Sequence, residues 1–100
     1  MKSEHEFQKK VLKQLRELPY SHVEKISQLA ERGTLDIVVC LRGKYVAIEC
    51  KRSKADASPT KKGNALQIYK ANQIKKAKGK AYIVYPENWD FIYQKLRLIR

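Results

Sequence analysis

Residues 33–52, GTLDIVVCLRGKYVAIECKR, decide how the rest of the chain is read. Residues 35–41 and 45–51 are rich in Val, Ile, Leu, Cys and Tyr, and the breaker dipeptide Arg42-Gly43 stands between them. That pattern predicts two short strands joined by a tight turn. A turn at Arg42-Gly43 sets Leu41 opposite Lys44 and Asp36 opposite Glu49. A turn at Gly43-Lys44 sets Asp36 opposite Lys51 instead. Glu49 and Lys51 are two apart and share a strand face in either register. One patch of sheet therefore carries Asp36, Glu49 and Lys51 together.

Such a patch is costly on its own. Like charges facing each other across a ladder destabilise a sheet, and apolar neighbours add desolvation to the repulsion. A divalent cation removes both penalties, and Mg²⁺ suits one or two carboxylates completed by waters and phosphate oxygens. A lysine beside the ion can orient or deprotonate the attacking water and offset charge on the scissile phosphate. Asp, then Glu-x-Lys on the next strand, is the chemistry of metal-assisted phosphodiester hydrolysis. The plainer reading is a structural ion pair of Lys51 with Glu49 or Asp36, and short acid-x-Lys matches arise often by chance.

One hundred residues predict one small domain over 1–100, and 43% apolar content fits a globular chain. No apolar run is long enough to span a bilayer, and the N-terminus lacks the apolar core of a signal peptide. Cys40 and Cys50 read as small core residues of a reducing cytosol rather than a disulfide or metal pair. Neither His5 nor His22 falls within a clear ligand spacing. Net charge is +12, and between Lys51 and Lys80 ten Lys or Arg face a single acid, Asp56. A basic surface beside a metal-capable hairpin points to a nucleic acid more than to a membrane.

Residues 3–18 predict a helix, with a Ser3/Glu6 capping box and an apolar stripe of Phe7, Val11, Leu15 and Leu18 ahead of Pro19. Glu4 lies on the axis of that stripe, where it could reach the Asp36/Glu49 site or simply favour the helix dipole. Residues 20–29 suit a strand beside the hairpin, although Val23, Ile26 and Leu29 also fit a helical turn. Residues 53–63 read as a mobile polar connection whose Lys54, Lys61 and Lys62 can meet phosphates. A helix over 64–78, capped by Gly79, puts Gln67, Ala71 and Ile74 on one face. Gln67 could then bond the attacking water or a phosphate oxygen. Residues 81–85 form a buried strand, and Trp89, Ile92, Tyr93, Leu96 and Ile99 mark a final helix used as core or dimer surface. The order α-β-β-β-α-β-α predicts an α/β fold, a mixed sheet flanked by helices with a right-handed parallel crossover over 45–85.

Glu4 ahead of Phe7-Gln8, then Gly33-Thr34-x-Asp36, Ile48-Glu49-Cys50-Lys51 and Gln67 resemble the PD-(D/E)XK nuclease superfamily. Within it, the chain is most similar to the virus-type replication-repair nuclease (VRR-NUC) family in its short, stand-alone, phage-like form. The resemblance implies a restriction-endonuclease-like α-β-β-β-α-β core. It implies metal binding by Asp36, Glu49 and the Cys50 carbonyl, with Lys51 as the catalytic lysine. Glu4 would match the acid of the first helix, and Gln67 the glutamine of the later one. It also implies a symmetric homodimer acting on branched DNA such as a Holliday junction. One departure is Leu35, where the family has proline before the aspartate.

The expectation is a Mg²⁺-dependent endodeoxyribonuclease, with Mn²⁺ as an alternative metal, in the cytoplasm of a bacterial or phage-infected cell. Asp36, Glu49, Lys51, Glu4 and Gln67 would form its site, and Arg52, Lys54, Lys61, Lys62 and Lys70 would hold the DNA. The final helix is the first expectation for the dimer interface. The rival readings are a non-catalytic basic nucleic-acid-binding module of the same fold and a domain whose basic helix meets an acidic protein. RNA stands open as a substrate.

Overall fold

The hairpin forms in the first of the two expected registers. Leu41 pairs with Lys44 and Ile37 with Ile48. Arg42 (φ 51°) and Gly43 (φ 83°) both take left-handed backbone, the geometry of a primed turn whose twist matches that of the strands it joins. Around this hairpin the structure, a computed structural model, describes residues 3–27 and 29–100. The elements run α1 (Glu4–Arg16), β1 (Ser21–Lys25), β2 (Ile37–Leu41), β3 (Lys44–Cys50), α2 (Ala65–Lys76), β4 (Lys80–Val84) and α3 (Pro86–Arg97). They build the expected α/β fold, a four-stranded mixed sheet in the order β1-β2-β3-β4 flanked by helices. β1, β2 and β3 are mutually antiparallel, and β4 joins β3 in parallel after the α2 crossover.

Strand alternation divides the core. Ile37, Val39 and Leu41 meet Val46, Ile48 and Cys50 on the face covered by Phe7, Val11 and Leu15 of α1 and Trp89, Ile92 and Leu96 of α3. The opposite face holds a smaller cluster of Leu35, Ala47, Ala71 and Ala81 beneath α2. Small residues there let α2 approach the sheet closely. Cys50 is a core residue as expected, but Cys40 is exposed. Its place on β2 puts it on the α2 side, and α2 packs mainly over β3 and β4.

Ser3 caps α1 by accepting the Glu6 N–H at 3.1 Å. The helix stops at Arg16 rather than residue 18, because Pro19 pushes Leu18 away from helical backbone; Leu18 still packs in the core. Residues 20–29 resolve as the strand β1, shorter than expected. The Ile26 N–H still bonds the Asp36 carbonyl at 2.8 Å, Gln28 lies outside the described residues, and Leu29 is 96% exposed.

α2 closes through Lys78 rather than Gly79. Lys78 takes the left-handed conformation (φ 74°), and the Lys78 and Gly79 N–H groups bond the Lys75 and Ile74 carbonyls, the paired bonds of a Schellman ending. Gly79 serves a different need: a Cβ there would lie 2.8 Å from Ile74 Cγ2. The apolar stripe of α3 faces inward. Trp89 Nε1 donates to Gln14 Oε1 at 2.7 Å and Tyr93 Oη to the Gln14 carbonyl at 3.2 Å. The stripe proposed as a dimer surface is therefore used in packing α3 against α1. Among the described residues no helix is long and apolar enough to cross a membrane.

Candidate active site

At Asp36 the β2–β3 ladder stops being a backbone ladder. The Asp36 N–H donates to Glu49 Oε1 at 3.1 Å, and the Cys50 N–H donates to Asp36 Oδ2 at 3.1 Å. Each carboxylate thus takes an N–H from the strand that carries the other. This reciprocal bonding holds two acids across the sheet, with one oxygen of each already oriented.

Glu49 is only 3% exposed. Burial, and then the nearby Asp36 charge, push its pKa up to about 7, against the lowering effect of Lys51 and of the Asp36 N–H bond. Lys51 Nζ lies 3.5 Å from Glu49 Oε2, and its ion pair does not outweigh the desolvation. Gln67 reaches down from the first turns of α2, and its Nε2 donates to the same Oε2 at 2.6 Å. Its own Oε1 is buried with no hydrogen-bond partner among the described residues, an uncommon state for a buried polar atom. The crossover geometry that packs Ala71 and Ile74 onto the sheet places Gln67 here. Gln67 therefore belongs to the same cluster as Asp36, Glu49 and Lys51.

The segment before Asp36 is shaped by Gly33, which takes φ 82°. A Cβ on it would stand 2.4 Å from Leu66 Cγ, so the loop reaches α2 only because glycine is there. Leu35, at the position where the resemblance expects proline, fills the small apolar cluster under α2. Packing rather than ring constraint sets the approach to Asp36.

Glu4 sits differently from the other candidates. Its helix neighbours Phe7 and Val11 are buried, yet Glu4 is exposed at the first position of α1. It lines a polar cleft of about 410 Å³ with Asp36, His5, Gln8, Lys25 and Arg32. Among the described residues no three His, Cys, Asp or Glu side chains form a group that could hold an ion. The Glu4 charge is felt nearby. The Cys50 thiol is pushed well above its usual range by burial first, then by Asp36, Glu49 and Glu4.

The basic residues divide in two. Lys54 and Lys62 are exposed and make no ion pair among the described residues. Arg52 and Lys61 both pair with Asp56, Arg52 at 3.1 Å. Asn64 bonds the Asp56 and Ser58 carbonyls at 2.8 and 2.9 Å, so residues 53–63 are tied down where the sequence suggested a free connection. Lys70 pairs with Glu31 at 2.8 Å and approaches Thr34 Oγ1 at 3.5 Å. It braces the loop before Asp36 instead of standing out from the surface.

Sequence reasoning missed Lys25 and Arg32, the cations of the polar cleft, because the charge count concentrated on residues 51–80. It also treated Asp56 as a lone acid when it is the hub of its loop. Spacing signalled neither. Comparison of the chain with protein-family models, curated proteins and solved structures gives no match in any of the three.

Proposed function

We propose that this protein is a metal-dependent nuclease that hydrolyses phosphodiester bonds in DNA, and that its family is the one its motifs resemble. The observation that carries this reading is the convergence of Asp36, Glu49, Lys51 and Gln67 at one end of the hairpin. Glu49 alone is buried at a cost that its ion pair does not remove. A hard divalent ion fits the chemistry of this donor set, two carboxylates and the Cys50 carbonyl between Glu49 and Lys51. The unpartnered Gln67 Oε1 suits a water or hydroxyl donor at the same place. Asp36 and Glu49 would hold Mg²⁺ or Mn²⁺, which supplies Lewis acidity and a water acidic enough to attack phosphorus near neutral pH.

The chain's own groups account for the rest. Lys51, held by Glu49, presents an ammonium that orients the nucleophilic water and offsets charge developing on the phosphoryl oxygens. Gln67 fixes the Glu49 carboxylate through its Nε2 and offers its Oε1 to the attacking water. Glu4 borders the cleft beside Asp36 and bears on the site through solvent or substrate. Lys54 and Lys62, with Arg52 and Lys61 exchanging Asp56 for phosphate, hold the DNA backbone. Branched DNA is the proposed substrate.

A second reading, a non-catalytic nucleic-acid-binding module of this fold, is favoured by one observation. The reciprocal N–H bonds to Asp36 and Glu49 would also serve as a structural latch. Labelled four-way junction, flap and plain duplex separate the two. The nuclease predicts junction cleavage with Mg²⁺ or Mn²⁺, none with EDTA, and loss in Asp36→Ala and Lys51→Ala. Binding without cleavage under every metal leaves the binding module.

A further inference from the structure

α2 covers only part of its side of the sheet. It packs mainly on β3 and β4, so β1 and β2 show that face to solvent. Val23 joins the cluster on the α1 side, and alternation then turns His22 and Glu24 toward the α2 side. The register sets His22 beside Cys40 and Cys40 beside Tyr45, with Glu24, Val38 and Ala47 in a row nearer Asp36. Where this face meets α2 lies a groove of about 490 Å³, lined mainly by Leu35, Val38, Tyr45, Ala47, Ile74 and Ala77.

Two aromatic rings stand open at the hairpin end of the sheet. Tyr45 is 49% exposed and Tyr20 77%, and the Arg42 guanidinium lies 4.6 Å from the Tyr20 ring centre. The end of α2 meets the same place, since a Cβ on Gly79 would come 3.4 Å from Tyr45 Cδ1. Lys76 and Lys78 are exposed there, and like Arg42 they make no ion pair among the described residues. The acids nearest the groove are already engaged, Glu31 by Lys70 and Glu24 by His22.

Unpaired cations and open aromatic rings beside an apolar groove suit a ligand that alternates flat faces and negative charges along one chain. Single-stranded nucleic acid has that form. A duplex offers its phosphates but keeps its base faces stacked inside, which leaves the groove wet. We propose that this groove and the open sheet face beside it bind single-stranded DNA. Its bases stack on Tyr45 and Tyr20, and Arg42, Lys76 and Lys78 hold its phosphates. Arg42 lies at the far end of β2 from Asp36, about 20 Å away at typical strand rise. The surface is therefore distinct from Arg52, Lys54, Lys61 and Lys62, and an unpaired arm of branched DNA is what it takes. The proposal rests on the reading above for DNA as the ligand, and not on cleavage.

Labelled oligothymidylate of about 12 nucleotides, titrated by fluorescence anisotropy in EDTA, tests binding with no cutting. Tyr45→Leu should lower single-strand affinity about tenfold relative to blunt duplex, and Tyr45→Phe should restore most of it. Ala77→Glu, an exposed change at the groove, should lower it as well. Circular dichroism confirms that the variants fold. Cys40 is exposed on this face, so saturating oligothymidylate should slow its alkylation by iodoacetamide several-fold. Three results would each overturn the proposal: single-strand affinity indifferent to Tyr45→Leu, a loss shared equally with duplex, or Cys40 alkylation that oligothymidylate leaves unchanged. Polyglutamate that displaces the oligonucleotide at equal charge would overturn it too, and would assign the surface to an acidic protein. The nuclease reading fails on other data, metal-dependent junction cleavage, so either can fall alone.

Discussion

Glu49→Gln should stabilise the folded protein at pH 8 while removing the activity proposed for it. The folded Glu49 carboxyl has its pKa raised from 4.5 to about 7, chiefly by burial and then by Asp36. A group that binds its proton more tightly in the folded state makes folding less favourable as that proton is lost. Stability therefore falls as pH rises from about 4.5 through about 7 and levels off above. The gap corresponds to roughly 3 kcal/mol at about 1.36 kcal/mol per pKa unit. Glutamine removes the buried charge and keeps a carbonyl for the Asp36 N–H, and a flip of the Gln67 amide turns its Oε1 to accept from the new NH2 where its Nε2 now donates to Glu49. It forfeits the Lys51 attraction, which leaves a net gain of about 1–2 kcal/mol. Urea unfolding followed by circular dichroism, in EDTA at pH 5 and pH 8, measures it. The variant should exceed wild type at pH 8, and the difference should shrink or reverse at pH 5. Millimolar Mg²⁺ should stabilise wild type at pH 8 and leave the variant unmoved. A variant less stable than wild type at pH 8 would refute the reasoning, since Glu49 would then be a structural acid whose charge the fold needs.

Three further outcomes can be checked. Gly79→Ala should lower stability by about 1–2 kcal/mol in the same urea assay, because the new methyl would crowd Ile74 Cγ2 and the Ile74 carbonyl. A thiol reagent at pH 8 should modify one cysteine rapidly in the native protein, and Cys40→Ser should abolish that reaction; Cys40 is exposed, while Cys50 is buried with its thiol pKa raised. Asp56→Asn should leave stability nearly unchanged, because its ion pairs are exposed to solvent. It frees Arg52 and Lys61, so a DNA-binding titration across salt concentrations should show tighter binding with a steeper salt dependence.

The hairpin was legible because Arg42-Gly43 permits so few turns, and one register follows from each choice. The sequence left open whether Glu49 or Lys51 stands opposite Asp36, and the turn at Arg42-Gly43 decides for Glu49. Gln67 was legible too, since helical spacing ties it to Ala71 and Ile74, which must face the sheet. Other features depend on what covers what. Cys40 reads as core by alternation in an apolar strand, yet α2 leaves its part of the sheet open. Glu4 shares the stripe of Phe7 and Val11, but the first turn of a helix can project past the sheet it packs on. Lys70 and Asp56 look like solvated charges, and only folding brings Glu31 to one and Lys61 to the other.

The reciprocal bonding at Asp36 and Glu49 can be read as a latch that needs no metal, but a latch accounts for only part of the cluster. Two N–H donors satisfy one oxygen of each acid. They do not require Glu49 to be buried beside a second carboxylate, which raises its pKa. Nor do they require a glutamine from another element to bond the remaining Glu49 oxygen while leaving its own carbonyl buried and unpaired. A core under selection for stability alone would place an apolar pair here, since removing a buried charge is often neutral or stabilising. The latch explains how the acids are oriented. A cation or a donor proton bound beside them, as the proposed function requires, would account together for the cost of Glu49 and the unpaired acceptor on Gln67.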